Sequence, residues 1–134
     1  MFAGDVSITG TGTSQVVIQN NSARAIVDFD TFSIGAGETT TINQITNNSA
    51  ILNRVTGGDI TEIFGTLESN GQVFLINPSG ILIGESGLVD TNGFVASTLD
   101  VDNSDFLNGG DLVFKQGVEA GNGITVHGLS LIHI

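Results

Sequence analysis

The sequence predicts an all-β fold: a right-handed parallel β-helix, built as a single-stranded solenoid, with an N-terminal cap and a small extra sheet outside the coil. Three observations predict it. Within residues 71–99, GQVFLINPSGILIGESGLVDTNGFVASTL, short apolar runs recur roughly every six or seven residues, each bounded by Gly or Asn, so none is long enough for a helical stripe. Four Asn-Gly dipeptides, at Asn70-Gly71, Asn92-Gly93, Asn108-Gly109 and Asn122-Gly123, mark tight turns. Strand-plus-turn units fill stretches of about 20 residues, the length of one solenoid rung, and a rung buries little until others stack on it.

Residues 1–37 read as the cap. Strands are expected at 5–9, 15–20 and 25–30, joined by polar turns at 10–14 and 20–22, with less regular spacing than the remainder of the chain. A first rung exposes N–H and C=O groups that would template aggregation, and an irregular cap shields them. Rungs then run from about residue 39 to 126. Thr39-Thr40-Thr41-Ile42-Asn43 alternates in part, as a strand with one wet face should. The runs 73–76 and 81–83 are instead apolar on both faces, which requires a cover over the outer side, an extra sheet or hairpin near Asn77. Between those runs, Asn77-Pro78-Ser79-Gly80 places Pro second and Gly fourth, the pattern of a type I turn.

The 134 residues suit one domain with a modest core, and a 40% hydrophobic content argues against disorder. Arg24, Arg54 and Lys115 are the fixed cations against a net charge of -11, so little is available to neutralise phosphates; nucleic acid and anionic membrane surfaces are poor partners. No apolar stretch approaches the roughly 20 residues of a membrane-spanning helix. Without cysteine the chain forms no disulfide that would close a loop in an oxidising compartment, and no thiolate metal site.

Several phrases carry a family resemblance. They are Arg24-Ala25-Ile26-Val27-Asp28-Phe29, Phe32-Ser33-Ile34-Gly35-Ala36-Gly37-Glu38, Leu52-Asn53-Arg54-Val55-Thr56-Gly57-Gly58, the stretch Gly71 to Ile81 around the Asn77 turn, and Gly93-Phe94-Val95-Ala96-Ser97-Thr98-Leu99. In order and spacing, over residues 15–115, the chain resembles the haemagglutination-activity, or two-partner-secretion, domain of filamentous-haemagglutinin-type exoproteins. The family usually writes the turn Asn-Pro-Asn-Gly; Ser79 stands at its third position and fits the same turn. No basic region followed by an apolar core opens the chain, as a signal peptide would. Residues 129–134 break the punctuation and are expected to be a non-native tail behind a domain of residues 1–128.

The resemblance implies a secretion domain at the N-terminus of a large exported adhesin- or haemagglutinin-like protein, not an enzyme. Its partner is then an outer-membrane β-barrel transporter bearing POTRA domains, with the folded product at the bacterial cell surface. Asn77, Pro78, Ser79 and Gly80 form the implied secretion and turn motif; Asn53, Arg54, Gly57 and Gly58 form a second family-like motif. Two other classes compete. A module binding a host-cell receptor or glycan would want aromatic platforms, and the chain has no Trp or Tyr and eight Phe. A β-helical polysaccharide-degrading enzyme would want poised carboxylates.

The remaining motifs are weak. Asp28 and Asp30 flank Phe29, and Asp100 and Asp102 flank Val101; each pair reads as a solvated strand face, with Arg24 able to pair with Asp28 or Asp30. Asp100, Asp102, Ser104, Asn108 and Asp111 approximate a calcium loop, but Asp105 sits where that loop needs glycine. His127 has no credible second ligand for zinc. Asn20-Asn21-Ser22 and Asn47-Asn48-Ser49 are chance sequons. No cofactor is implied.

Overall fold

The structure is a computed structural model that describes residues 2–101, 103–108, 114–116, 124–126 and 131–133. Strands β1 (Phe2–Ala3), β2 (Val6–Thr9), β3 (Gln15–Asn20) and β4 (Arg24–Phe29) open the chain. β5 (Thr39–Gln44), β6 (Ala50–Val55) and β7 (Thr61–Ile63) make the next turn, and β8 (Thr66–Ser69), β9 (Gln72–Ile76) and β10 (Ile81–Ile83) the one after. β11 (Leu88–Asp90) and β12 (Gly93–Ser97) come next. The chain then leaves the coil through β13 (Leu99–Val101), the helix α1 (Asn103–Asn108) and β14 (Phe114–Gln116). It returns at β15 (Ile124–Val126) and β16 (Leu131–His133).

The strands stack into three parallel faces. Face 1 runs β3, β5, β8, β11, β16; face 2 runs β4, β6, β9, β12; face 3 runs β7, β10, β15. Registers such as Gln15↔Thr39, Thr39↔Thr66 and Gln72↔Gly93 give turns of about 20 to 27 residues, longer than one uniform rung length where loops bulge at the corners. Alternation does the rest. Ile18, Ile42, Leu67 and Val89 from face 1, Ala25, Ile51, Val73 and Leu75 from face 2, and Ile63, Ile81 and Ile83 from face 3 fill one continuous interior.

Two expectations are corrected. The coil starts at β3, not near residue 39, because β3 pairs in parallel with β5 and β4 with β6. The cap is correspondingly small: β2 lies antiparallel on β3 and β1 antiparallel on β4, which closes the N-terminal edges of faces 1 and 2.

The second correction concerns the cover over face 2. Its outer side is apolar because Ile26, Leu52 and Phe74 share one register row. What buries them is α1, not a sheet: Phe106 is fully buried among Ile26, Ala50, Leu52 and Ile76, with Phe74 edge-on at 5.2 Å. The Arg24 guanidinium lies 4.5 Å from the centre of the Phe106 ring, and its Nε donates to the Phe106 carbonyl. Burial there pushes the Arg24 pKa down from its ordinary value. The extra-coil sheet does exist, as β13 and β14 paired antiparallel at the base of this excursion.

Arg24 is therefore not the partner of Asp28 or Asp30. Asp28 pairs with Arg54 at 3.3 Å, since the β4–β6 register sets Asp28 directly opposite Arg54. Asp30 lies beyond the end of β4 and shares no strand face with Asp28. No described helix is long and apolar enough to cross a membrane.

Candidate functional site

The turn Asn77-Pro78-Ser79-Gly80 forms the corner between β9 on face 2 and β10 on face 3. The Gly80 N–H donates to the Asn77 carbonyl at 3.1 Å, and the Asn77 Oδ1 accepts from the Ser79 N–H at 2.9 Å, so a β-turn and an Asx-turn close on the same residue. Pro78 fits where no N–H is wanted. Gly80 leaves the corner at φ +124°, in the left-handed range that favours glycine.

Asn77 also ties three turns of the coil together. It is 1% exposed, and its Nδ2 donates at 2.9 Å both to the Asp59 carbonyl and to the hydroxyl of the fully buried Thr61 in the turn before. Its own N–H donates to the Ser97 carbonyl, in the turn after, at 3.0 Å, and the Thr61 N–H donates to the Gly80 carbonyl at 3.0 Å. A buried amide whose donors and acceptor all have partners is costly to replace.

The second motif lies on the same corner one turn earlier. Gly57 N–H donates to the Asp30 carbonyl at 3.1 Å, and a Cβ on Gly57 would sit 2.2 Å from that oxygen, so the close approach of the two turns requires glycine. Gly58 is next, at φ +92° with open space around it, so there the requirement is conformational alone. Asp59 succeeds it and meets Asn77. Part of what the sequence singles out thus forms one column: Gly57 lies over Asp30, and the Asn77 turn stacks on Asp59 and Thr61. Thr61 and the carbonyls of Asp30 and Asp59 are not legible in the sequence, because their roles depend on the inter-turn register.

Asn53 and Arg54 belong elsewhere. Arg54 faces outward to Asp28, while Asn53 is fully buried in register with Val27 and Leu75 of the interior. Asn53 Nδ2 donates to the Phe74 carbonyl at 3.2 Å, and its Oδ1 has no hydrogen-bond partner among the described residues. Asn53→Leu is therefore expected to raise stability, by roughly 1 kcal/mol, in urea unfolding of the purified domain. A loss of that size would mean the Phe74 hydrogen bond outweighs the orphaned oxygen.

The turn itself yields a paired prediction. Gly80→Val forces a β-branched residue into φ +124° and should cost roughly 1 to 3 kcal/mol, whereas Ser79→Asn, serving the same turn position, should be nearly neutral. Equal losses in thermal melts would mean that the turn conformation is not what matters.

Other predicted positions contribute no site. A recess of about 330 Å³ opens at the N-terminal mouth of the coil, floored by Ile8, Val16, Phe29 and Phe32, and none of the motif residues lines it. Among the described residues no three His, Asp or Glu side chains gather as metal ligands. Asp102, Asp111, His127 and the Asn122-Gly123 turn lie outside the described residues, as does Gly109; Asn103–Asn108, within the suggested calcium loop, is helical.

The profile of the TPS secretion domain matches residues 3–130. The chain belongs to the TPS, or two-partner-secretion, domain family. The crystal structure of the HMW1 secretion domain from Haemophilus influenzae superposes on 98% of this chain with a TM-score of 0.87 and 37% identity, using 35% of that chain. The heme/hemopexin-binding protein of Haemophilus influenzae is 32% identical over 99 residues, 74% of this chain. Its counterpart from the KW20 strain is 31% identical over 102 residues. The matched stretch spans 11% of either protein. The TPS domain is a secretion domain of exported proteins, not a known enzyme family, and its presence implies a cognate outer-membrane transporter as partner.

Proposed function

We propose that this TPS domain is read in the periplasm, while still extended, by POTRA domains of its transporter, and that it folds at the cell surface to seed the β-helix of a larger adhesin- or haemagglutinin-like protein. The closed N-terminal end supports the folding part of this reading. Faces 1 and 2 are closed at the N-terminal end by antiparallel strands, and each later turn pairs in parallel with the one before it. A solenoid built this way grows from its capped end, each turn pairing only with the one before.

An exoprotein that binds heme or hemopexin is a second reading, supported by 32% identity to the Haemophilus influenzae protein of that name. Glycan binding by the domain itself finds less support, since Phe29 packs edge-on against Phe32 and Phe74 against Phe106 instead of forming a platform.

Recognition of the extended chain is tested with purified POTRA domains. A variant held unfolded in buffer should bind more tightly than the folded domain, through strand addition to a sheet edge, and association should slow with added salt because a chain of charge -11 is steered to a basic surface. Equal or tighter binding of the folded domain would overturn recognition in the extended state.

A further inference from the structure

A solenoid is held mainly by contacts between neighbouring turns, so its turns tend to unfold in sequence instead of together. The contacts of α1 break that pattern. α1, which comes after the fourth-turn strand β12, packs back over the outer face of β4, β6 and β9, the first three turns. Phe106 is fully buried on the Ile26–Leu52–Phe74 row, the Phe74 ring meets it edge-on at 5.2 Å, and the Arg24 guanidinium stands 4.5 Å over its ring. The Arg24 Nε bond to the Phe106 carbonyl joins residues 82 positions apart in the chain.

We propose that α1 is a latch that couples the first three turns so that they unfold as one unit. The binding surface for Phe106 does not exist until β4, β6 and β9 lie side by side, since each contributes one member of the row it covers. The latch therefore closes last, after three turns are standing. Val95, the β12 member of the same row, stays outside it and is exposed. The proposal concerns the folded domain in solution and stands whatever partner reads the chain.

Native-state hydrogen exchange on the whole chain tests it, comparing amides of β4 with those of β9. In the unmodified protein the two sets should show protection within about threefold of each other and lose it at one urea concentration. Phe106→Ala should split them, with protection diverging tenfold or more as the turns open separately. If Phe106→Ala does not fold, Phe106→Leu, which keeps an apolar side chain but removes the ring contacts to Phe74 and Arg24, should show a smaller divergence in the same direction. A uniform fall in protection across both strands in the folded variant, or independent opening of the turns already in the unmodified protein, would overturn the latch.

Discussion

Gly57→Ala is expected to be strongly damaging, lowering stability by roughly 2 to 4 kcal/mol. The added Cβ would lie 2.2 Å from the Asp30 carbonyl oxygen and 2.5 Å from its Oδ1. The Oδ1 can swing aside, but the carbonyl does not move cheaply, because it accepts the inter-turn bond from Gly57 itself. Relief requires the two turns to separate at the corner where Asn77 stacks next. Gly58→Ala supplies the control: its space is open, so only the φ of +92° is strained, and the loss should stay near 1 kcal/mol. Chemical denaturation of the two variants side by side decides it. A Gly58 variant as unstable as the Gly57 variant would mean that backbone conformation, not the close approach of turns, sets the requirement.

The second large effect is expected at Asn77. Asn77→Leu removes both Nδ2 donations and the acceptor for the Ser79 N–H, leaving the fully buried Thr61 hydroxyl and the Asp59 carbonyl with less satisfaction. The expected loss is roughly 3 kcal/mol, about 1 kcal/mol for each bond removed. Asn77→Asp separates the contributions. The carboxylate still accepts from Ser79 but faces the Asp59 carbonyl oxygen, so burial and that dipole both favour its protonated form and raise its folded pKa above the unfolded value of about 3.9. A group with a raised folded pKa contributes stability at low pH that is lost as pH rises through that value. The Asn77→Asp variant should therefore approach the parent protein in acid and fall below it toward neutrality. A pH-independent difference in melting temperature would refute the donor role assigned to Nδ2.

These residues mark where the sequence is legible and where it is not. β9 and β10 are legible because Val73–Ile76 and Ile81–Ile83 are short apolar runs bounded by Asn77 and glycines, and the turn between them writes its own conformation in Pro78 and Gly80. The first turn is not recognisable as coil, since the connection from Phe29 to Thr39 is long and only the Gln15↔Thr39 register reveals that β3 already belongs to the stack. Register also hides the Arg54–Asp28 pair, whose members stand opposite each other only when β4 and β6 align. The need for a cover over Phe74 and Ile76 is readable from their double-sided apolarity. Its identity is not, because six residues of α1 show no helical period and Phe106 is a single apolar anchor. Within the motifs, Gly57 and Gly58 look alike in sequence, yet one is required by a neighbouring carbonyl and the other by its own dihedral angle.

The central claim, that this domain directs export through a dedicated transporter, is tested most directly by fusing a reporter behind residues 1–134 and expressing it in cells with and without the cognate outer-membrane transporter. The reporter should reach the cell surface or medium only when the transporter is present. Export in its absence, or none with the transporter present and the domain intact, would contradict the account.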